Sequence, residues 1–451
     1  MENFDTIVIG AGPAGLAAAY PLAAAHKKVL VVESDLWGGT CPNRGCDPKK
    51  MLYSAVETKQ AVGRMRDHGI DGDVSVDWPD LMAFKRAYTS KVPQGTQQGL
   101  ENSAIATAHG QARFLDAHTI TVSEAGEGDS AHTYQAETFI IATGERARPL
   151  DIPGAELLGT STDFLDFDEL PKRLVFIGGG YISFELANIA AEAGSTVTLI
   201  HHNDRPLRAF PETLVNQLME LMTARGIDIR LSTQVSGAAR DTNGRVRLDT
   251  DNGVIVADAV INATGRIPNV DGLGLEAAGV DTTARGIVVD DRLRTSTATI
   301  SAIGDVVARV QPKLTPVAGF EGRYVAARIL ETTSAAIEYP DIPTIVFGTE
   351  KLAQIGVTID EANKSSRYAV KTFDTTHWYT YNRVQDPQAT VMVVEDSTRN
   401  NAVVGVAALS SVADEIINQY AEKFAQGETP SDSTAPIYAY PSPASDLGYF
   451  A

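Results

Sequence analysis

Cys41 and Cys46, with four residues between them in the stretch GGTCPNRGCDPKK, are the only cysteines of the 451-residue chain. Two thiols at this spacing can make and break a disulfide, because one helical turn brings the sulfurs within bonding reach while one faces outward and the other inward. A purely structural staple is the weaker reading, since a disulfide closing so short a loop constrains the unfolded chain little. Arg44, Lys49 and Lys50 lie around the pair and predict thiolate stabilisation, with Asp47 as the opposing charge.

The elements that must position this pair begin with the segment ahead of it. DTIVIG reads as an apolar strand running into Gly10, Gly12 and Gly15, an alanine-rich helix follows, and the strand KVLVVE ends at Glu33. The glycines allow a tight turn and a close approach of backbone N–H groups to a pyrophosphate, and Glu33 can accept hydrogen bonds from a ribose diol. A cysteine pair directly after such a unit reads as a redox disulfide beside a flavin. The arrangement recurs: RLVFIGGG brings Gly178 and Gly180, YISFELANIAAEAG a helix with Ser183 in place of the third glycine, and TVTLI a second strand. His201 lies as far from Gly178 as Glu33 does from Gly10, so no acid stands there. The segment HHNDRPLR instead offers His201, His202, Arg205 and Arg208, cations suited to a 2′-phosphate, and His202 and Arg208 are the expected NADPH-selecting residues. A solvated basic turn containing Asp204 is the alternative.

FIIATGERARP, with Thr143 and Gly144, and VINATGRIPN, with Thr264 and Gly265, each read as a strand and glycine turn where the chain crosses between domains. AIGDV sets Asp305 after a short strand, and LTPVA puts Thr315 and Pro316 at a helix start that could face a flavin's electron-rich edge. Past residue 338, strands such as TIVFG and TVMVVE precede the helix ADEIINQYAEKFAQG, which predicts an α+β domain; HWYTYNR at 377–383 alternates as a packed strand would. The fold class is therefore α/β, with two Rossmann-like dinucleotide-binding domains and a C-terminal α+β dimerisation domain. The expected boundaries are 1–145 for the FAD-binding domain, 146–268 for the NAD(P)H-binding domain, 269–337 for a central domain completing the FAD site and 338–451 for dimerisation.

In this order the motifs resemble the class I pyridine nucleotide-disulfide oxidoreductases, the glutathione reductase and dihydrolipoamide dehydrogenase family, over nearly the whole chain. The resemblance implies FAD and NADPH as cofactors and a homodimer. It makes Cys46 the sulfur against the flavin and Cys41 the exchanging thiol. It pairs Lys49 with Glu185 near the flavin, lays Tyr181 over the nicotinamide pocket and gives the ribityl chain to Asp305. Thr40, Thr143, Gly144, Gly265 and Thr315 fall at cofactor-binding positions of the same motifs.

Departures from the family bear on the substrate. Its C-terminal His-Pro motif and following glutamate, supplied across the dimer as acid and base, are matched by IYAYPSPASDLGYF, where Tyr440 stands for the histidine and Ser445 for the glutamate. A phenol donates a proton but is a poor base at neutral pH; packing at an interface is the alternative for Tyr440. The arginine pair that recognises glutathione is replaced by Tyr20 and Pro21, and Pro21 predicts a kink in the first helix. Arg323 matches another family substrate arginine and could grip a carboxylate or merely be a surface charge. The expected function is FAD-containing, NADPH-dependent reduction of a small disulfide or other electrophile. The alternatives are a reductase of quinones, oxidants or metal ions, a carboxylase-like branch that shields an enolate, and a flavin-bearing redox sensor.

A net charge of −19 opposes nucleic acid and acidic membrane surfaces as partners. No metal site is expected. The first strand begins so near Met1 that no leader is expected, no run is long and apolar enough to span a bilayer, and two cysteines suit a reducing, cytoplasmic compartment.

Overall fold

The computed structural model describes residues 2–123, 131–348, 350–427 and 436–450. Two compact units divide the chain, one formed by 1–50, 83–148 and 265–338, the other by 51–82, 149–264 and 339–451.

The first unit is built on a sheet whose strands run in the order Ala106–His109, Val29–Glu33, Glu2–Ile9, Ala131–Ile141, Thr119–Ser123, Gln111–Asp116, with Ile300–Ala302 also joined to Ala131–Ile141. The strands nearest the glycine loop are parallel and buried on both faces, which is why IVI and VLVV are unbroken apolar runs rather than alternating ones. The helix Pro13–Ala24 lies against Thr315–Ile329 so closely that a Cβ on Gly322 would fall 2.4 Å from the Ala14 carbonyl oxygen; the small residues Ala14, Ala17 and Ala18 permit that approach. Pro21 does not end the first helix, which runs on to Ala24 because the proline sits in its last turn.

The second unit repeats the parallel pattern with Asp228–Arg230, Thr196–Ile200, Arg173–Ile177 and Ala259–Asn262, followed by an antiparallel three-stranded sheet over 235–257. Its C-terminal part is a five-stranded antiparallel sheet with the helix Ala413–Gln426 packed on one face. Alternate residues of Thr390–Asp396 enter different cores: Val391 and Val393 pack with Ile416, Ile417 and Tyr420, whereas Met392 and Val394 pack with Leu352 and Leu409. The aromatic segment differs from the strand expected for it: Tyr379–Asn382 is a short helix introduced by Trp378, whose indole stacks on Phe450 at 5.3 Å. Trp378 and Tyr381 still pack inward while Tyr379 is exposed, so the alternation here reflects a turn.

One buried charge in this unit is poorly compensated. Glu350 is 1% exposed and faces Arg64 and Arg225 at 3.6 Å each, longer than hydrogen bonds. Burial, and then the charge of Asp386, push its carboxyl up to about 8. A folded-state value above the unfolded one means the native protein holds the extra proton, so stability falls as pH rises from about 4.5 to 8, by up to roughly 1.4 kcal/mol per pH unit. Glu350→Gln is expected to flatten that fall and to raise the denaturation midpoint at pH 8 while leaving pH 5 little changed; urea unfolding at the two pH values checks it.

Candidate active site

Both glycine loops are shaped by the same contact. Gly10 has φ +108°, and a Cβ there would lie 2.4 Å from the Ala142 carbonyl oxygen; Gly178 has φ +130°, and its Cβ would lie 2.3 Å from that of Ala263. Ala142 and Ala263 each precede a Thr-Gly turn and donate their N–H groups to Ile9 and Ile177 at 2.8 Å. The strand ends are thereby held together where the helices Pro13–Ala24 and Tyr181–Glu192 start, and neither helix has a side-chain cap, so their first N–H groups are available to an anion. Gly15 is packed against the Gly10 carbonyl, whereas Ser183 is buried and its hydroxyl has no hydrogen-bond partner, so the second helix tolerates a side chain where the first does not. Glu33 accepts hydrogen bonds from the N–H groups of Ala11, Ser34 and Asp35, at 2.9 Å each, which holds the acid at the end of its strand.

The Gly-Gly of GGTC answers the first loop. A Cβ on Gly39, at φ +69°, would fall 2.6 Å from the Gly12 Cα, and Asn43 donates its amide to the carbonyls of Trp37 and Gly39 at 3.0 and 2.8 Å. Thr40–Arg44 is then one short helix, and Cys46 begins the next, Cys46–Arg64. Gly45 breaks the turn between them because a Cβ there would meet the Thr40 carbonyl oxygen at 3.0 Å. The Cys46 Sγ lies 3.7 Å from the Thr315 hydroxyl, at the uncapped N-terminus of Thr315–Ile329.

The thiolate stabilisation expected from Arg44, Lys49 and Lys50 is opposed at Cys41. Arg44 is engaged by Asp35 at 2.7 Å, and the Cys41 thiol is held well above its ordinary value, first by its bond to Cys46, then by burial and by the charges of Cys46 and Asp47. Burial and the neighbouring charges thus oppose thiolate formation at Cys41.

Asp305 sits on a scaffold that its sequence neighbours do not reveal. Glu321, fully buried, accepts from the Gly304 N–H at 2.7 Å and from Arg309 at 2.6 Å, which fixes the turn carrying Asp305. Its Oδ1 is buried with no hydrogen-bond partner, and burial raises its carboxyl above the usual range. A buried acceptor with no hydrogen bond, facing Arg309 at 3.9 Å, on a turn whose Gly304 packs against Ala14 of the first glycine loop's helix, fits the hydroxyl-rich chain of FAD. Thr143 and Gly144 are clipped from the other side: the Thr143 hydroxyl donates to the Asn269 carbonyl at 2.7 Å, and the Asn269 amide returns a bond to the Thr143 carbonyl. The strands after the two Thr-Gly turns, Glu145–Ala147 and Arg266–Pro268, pair antiparallel, Gly265 accepts from the Arg148 N–H, and Glu145 is paired with Lys313. Asn269, Glu321 and Lys313 had no sequence signal, since each acts across a long separation.

In the second unit Tyr181, exposed, opens its helix, and Glu185, buried, accepts from the Phe347 N–H at 2.9 Å. Lys49 lies in the first turn of the helix begun by Cys46. Two of the four cations counted in the HHNDRPLR loop are spent: Arg205 pairs with Asp360 at 2.5 Å, and His201 packs its ring where a Cβ on Gly179 would be, its imidazole driven toward neutrality by burial and by the charge of His202. His202 and Arg208 remain exposed. At the C-terminus Tyr440 is 76% exposed, while Ser445 is tied into a capping box with Ser442. Arg323 is exposed. Among the described residues no group of three or more His, Cys, Asp and Glu could hold a metal ion, and no helix is long and apolar enough to cross a membrane.

Residues 4–322 match the pyridine nucleotide-disulphide oxidoreductase family, and residues 342–448 match that family's dimerisation domain. The chain is similar to a glutathione reductase of Nostoc sp., 32% identical over 99% of this chain and 98% of the relative. It is also similar to a dihydrolipoyl dehydrogenase of Geobacillus stearothermophilus, 35% identical over 78% of this chain and 75% of the relative. Among solved structures it resembles the Cu(II) complex of the HOCl-induced flavoprotein disulfide reductase RclA from Escherichia coli, with a TM-score of 0.90 and 25% identity over 100% of this chain and 99% of that one. The chain belongs to the pyridine nucleotide-disulphide oxidoreductase family, and is an FAD-dependent disulfide oxidoreductase that uses a pyridine nucleotide.

The duplicated glycine contact separates the two cofactors experimentally. Gly10→Ala is expected to yield protein without retained flavin, whereas Gly178→Ala should keep the flavin's visible absorbance and weaken the pyridine nucleotide at least tenfold; absorbance of the purified variants and nucleotide titration check both.

Proposed function

We propose, for this member of the family, an NADPH-dependent homodimer that reduces a small disulfide or another small electrophile through Cys41 and Cys46. The observation that carries the reading is the thiol pair itself: two cysteines either side of the break at Gly45, Cys46 3.7 Å from the hydroxyl at an uncapped helix N-terminus and Cys41 half-buried with its thiol held above its ordinary value. FAD, when bound, supplies the two-electron transfer between the nucleotide and the disulfide. Gly10, Gly12, Gly15, Glu33, Thr40, Thr143, Gly144, Gly265, Asp305 and Thr315 hold it. Gly178, Gly180, Tyr181 and Ser183 line the nucleotide loop, and Lys49 and Glu185 serve hydride transfer. Cys46 carries the negative charge, favoured by the helix N-terminus at Thr315. Cys41 is the thiol that attacks the acceptor.

NADPH is favoured because the loop after the second strand carries His202 and Arg208 exposed and no acid at its strand end. Arg208→Ala should raise the KM for NADPH at least tenfold and leave that for NADH within about twofold, the difference a lost phosphate contact makes; equal losses with both nucleotides would remove the 2′-phosphate role.

A second reading of the acceptor, an oxidant or metal ion, is favoured by the C-terminus. A phenol at 440 and a hydroxyl at 445 give a leaving thiolate no strong acid–base dyad. RclA, the similar solved protein, is described as HOCl-induced and as a Cu(II) complex. Protein reduced anaerobically with NADPH and offered an aromatic disulfide, an alkyl disulfide, hypochlorous acid and Cu(II) tests both readings. Acceptors whose leaving group needs no proton should reoxidise it fastest, and Tyr440→Phe should slow the alkyl disulfide more than the aromatic one. Fast reduction of the alkyl disulfide, indifferent to Tyr440→Phe, would remove the oxidant or metal-ion reading and leave the disulfide one.

A further inference from the structure

The residue after Cys46 is the one whose chemistry the family reading leaves unused. Asp47 is half-buried, and its two oxygens face different partners: Oδ1 is 4.0 Å from the Cys41 Sγ, and Oδ2 accepts the Tyr88 hydroxyl at 2.9 Å. Tyr88 comes from the helix Trp78–Thr89, far away in sequence, so the carboxylate is oriented from outside its own helix. We propose that Asp47 is the proton acceptor for the Cys41 thiol in disulfide exchange, with Tyr88 as the positioning residue that aims it, so that each subunit carries within its own chain the base that Tyr440 cannot supply.

The proposal deepens the disulfide-reductase reading and rests on it. Reduction of the Cys41–Cys46 disulfide by one hydride leaves one thiol and one thiolate. As Cys41 attacks an acceptor R–S–S–R′, the Cys41–S–R bond forms, the S–S bond breaks, and the thiol proton passes to Asp47. Asp47 then gives that proton to the departing R′S⁻, which leaves as R′SH. The Cys46 thiolate attacks the Cys41 sulfur, the protein disulfide reforms, and RS⁻ takes a proton from water. Electrons and protons balance, and Asp47 ends as it began.

A bystander carboxylate would do something else: its charge would only make the thiolate harder to form. Cys41 is indeed held as thiol partly by Asp47, and the Tyr88 phenol is held protonated by the same carboxylate. Both effects keep the proton between these three groups at neutral pH. The other charged or titratable groups around them are Cys46, the Arg44–Asp35 pair, and Lys49 and Lys50 farther along the helix. With Arg44 committed to Asp35, no arginine of this loop competes for the Asp47 oxygens.

The two roles predict different pH profiles. In FAD-loaded Cys46→Ser protein Cys41 is the sole thiol, and its reaction with bis(2-hydroxyethyl) disulfide can be followed from pH 5.5 to 8 without pyridine nucleotide. A base gives a rate nearly independent of pH across that range, because the thiol itself, and not the small free-thiolate fraction, is the reacting species. Cys46→Ser/Asp47→Asn should instead rise about tenfold per pH unit, as reaction through free thiolate requires, and should be at least tenfold slower at pH 6. Adding Asp47→Glu should restore part of the plateau, and adding Tyr88→Phe should lower the plateau several-fold without tilting it. A tenfold-per-unit slope already present with Asp47, together with faster reaction at every pH on Asp47→Asn, would make the carboxylate a bystander charge and overturn the proposal. Failure of the broader reading is distinguishable: it would show as no turnover of any acceptor with NADPH, in an assay this single-thiol reaction does not use.

Discussion

The constraint on which both nucleotide loops depend is the approach of a glycine backbone to the carbonyl of an alanine at the end of the neighbouring strand, made once at Gly10 and Ala142 and again at Gly178 and Ala263. No L-residue with a Cβ fits at either place, and the positive φ angles would be strained for one in any case. Each contact draws together a strand end, a helix start and a Thr-Gly turn, so the uncapped N–H groups of the helix are aimed at one spot. In the first unit the same spot is approached by Gly39 against Gly12. The loop that carries the cysteines is thus braced directly on the cradle that holds the cofactor, and the position of the sulfurs follows from the position of the glycines.

That bracing gives the two chemically identical thiols different electrostatics. Cys46 begins a helix and meets the N-terminus of a second one at Thr315, both settings that favour negative charge. Cys41 lies half-buried between Cys46 and Asp47, where a second negative charge is costly. The different surroundings of the two sulfurs therefore come from where the helices Cys46–Arg64 and Thr315–Ile329 begin, through the break at Gly45.

Much of this was legible in the sequence because its causes are local. Gly10, Gly178, Glu33 and the cysteine spacing carry their meaning within a few residues of themselves, and a repeated strand, glycine loop and helix confirms itself. The charge balance was not legible, because it depends on partners distant in the chain or hidden by geometry. Arg44 counts as a cation beside the thiols until Asp35 takes it, and Arg205 counts toward a phosphate until Asp360 does. Asp47 reads as one opposing charge among three cations until Tyr88 turns it toward Cys41. The segment at 377–383 misled for a related reason: Trp378 and Tyr381 pack inward while Tyr379 faces out, as in a strand, but from a short helix introduced by Trp378.

The C-terminal segment shows why the family's acid–base pair is replaced here rather than displaced. Ser445 stands at the acid's position, yet its hydroxyl donates to the Ser442 carbonyl at 2.6 Å and its N–H to the Ser442 hydroxyl at 3.3 Å. It is part of a helix cap, and Leu447 and Phe450 anchor the turn behind it in the core. A carboxylate there would gain no imidazole to orient, since the residue ahead of the proline is a phenol. With its end committed to packing, the chain presents at Tyr440 a group that can donate a hydrogen bond but takes no proton near neutral pH. Exchange at Cys41 then needs a base from another direction, or an acceptor that needs none. The carboxylate 4.0 Å from the Cys41 sulfur meets the first requirement. An electrophile whose fragment departs as a stable anion meets the second, and a site of this kind is suited to acceptors that an imidazole-driven reductase has no advantage in reducing.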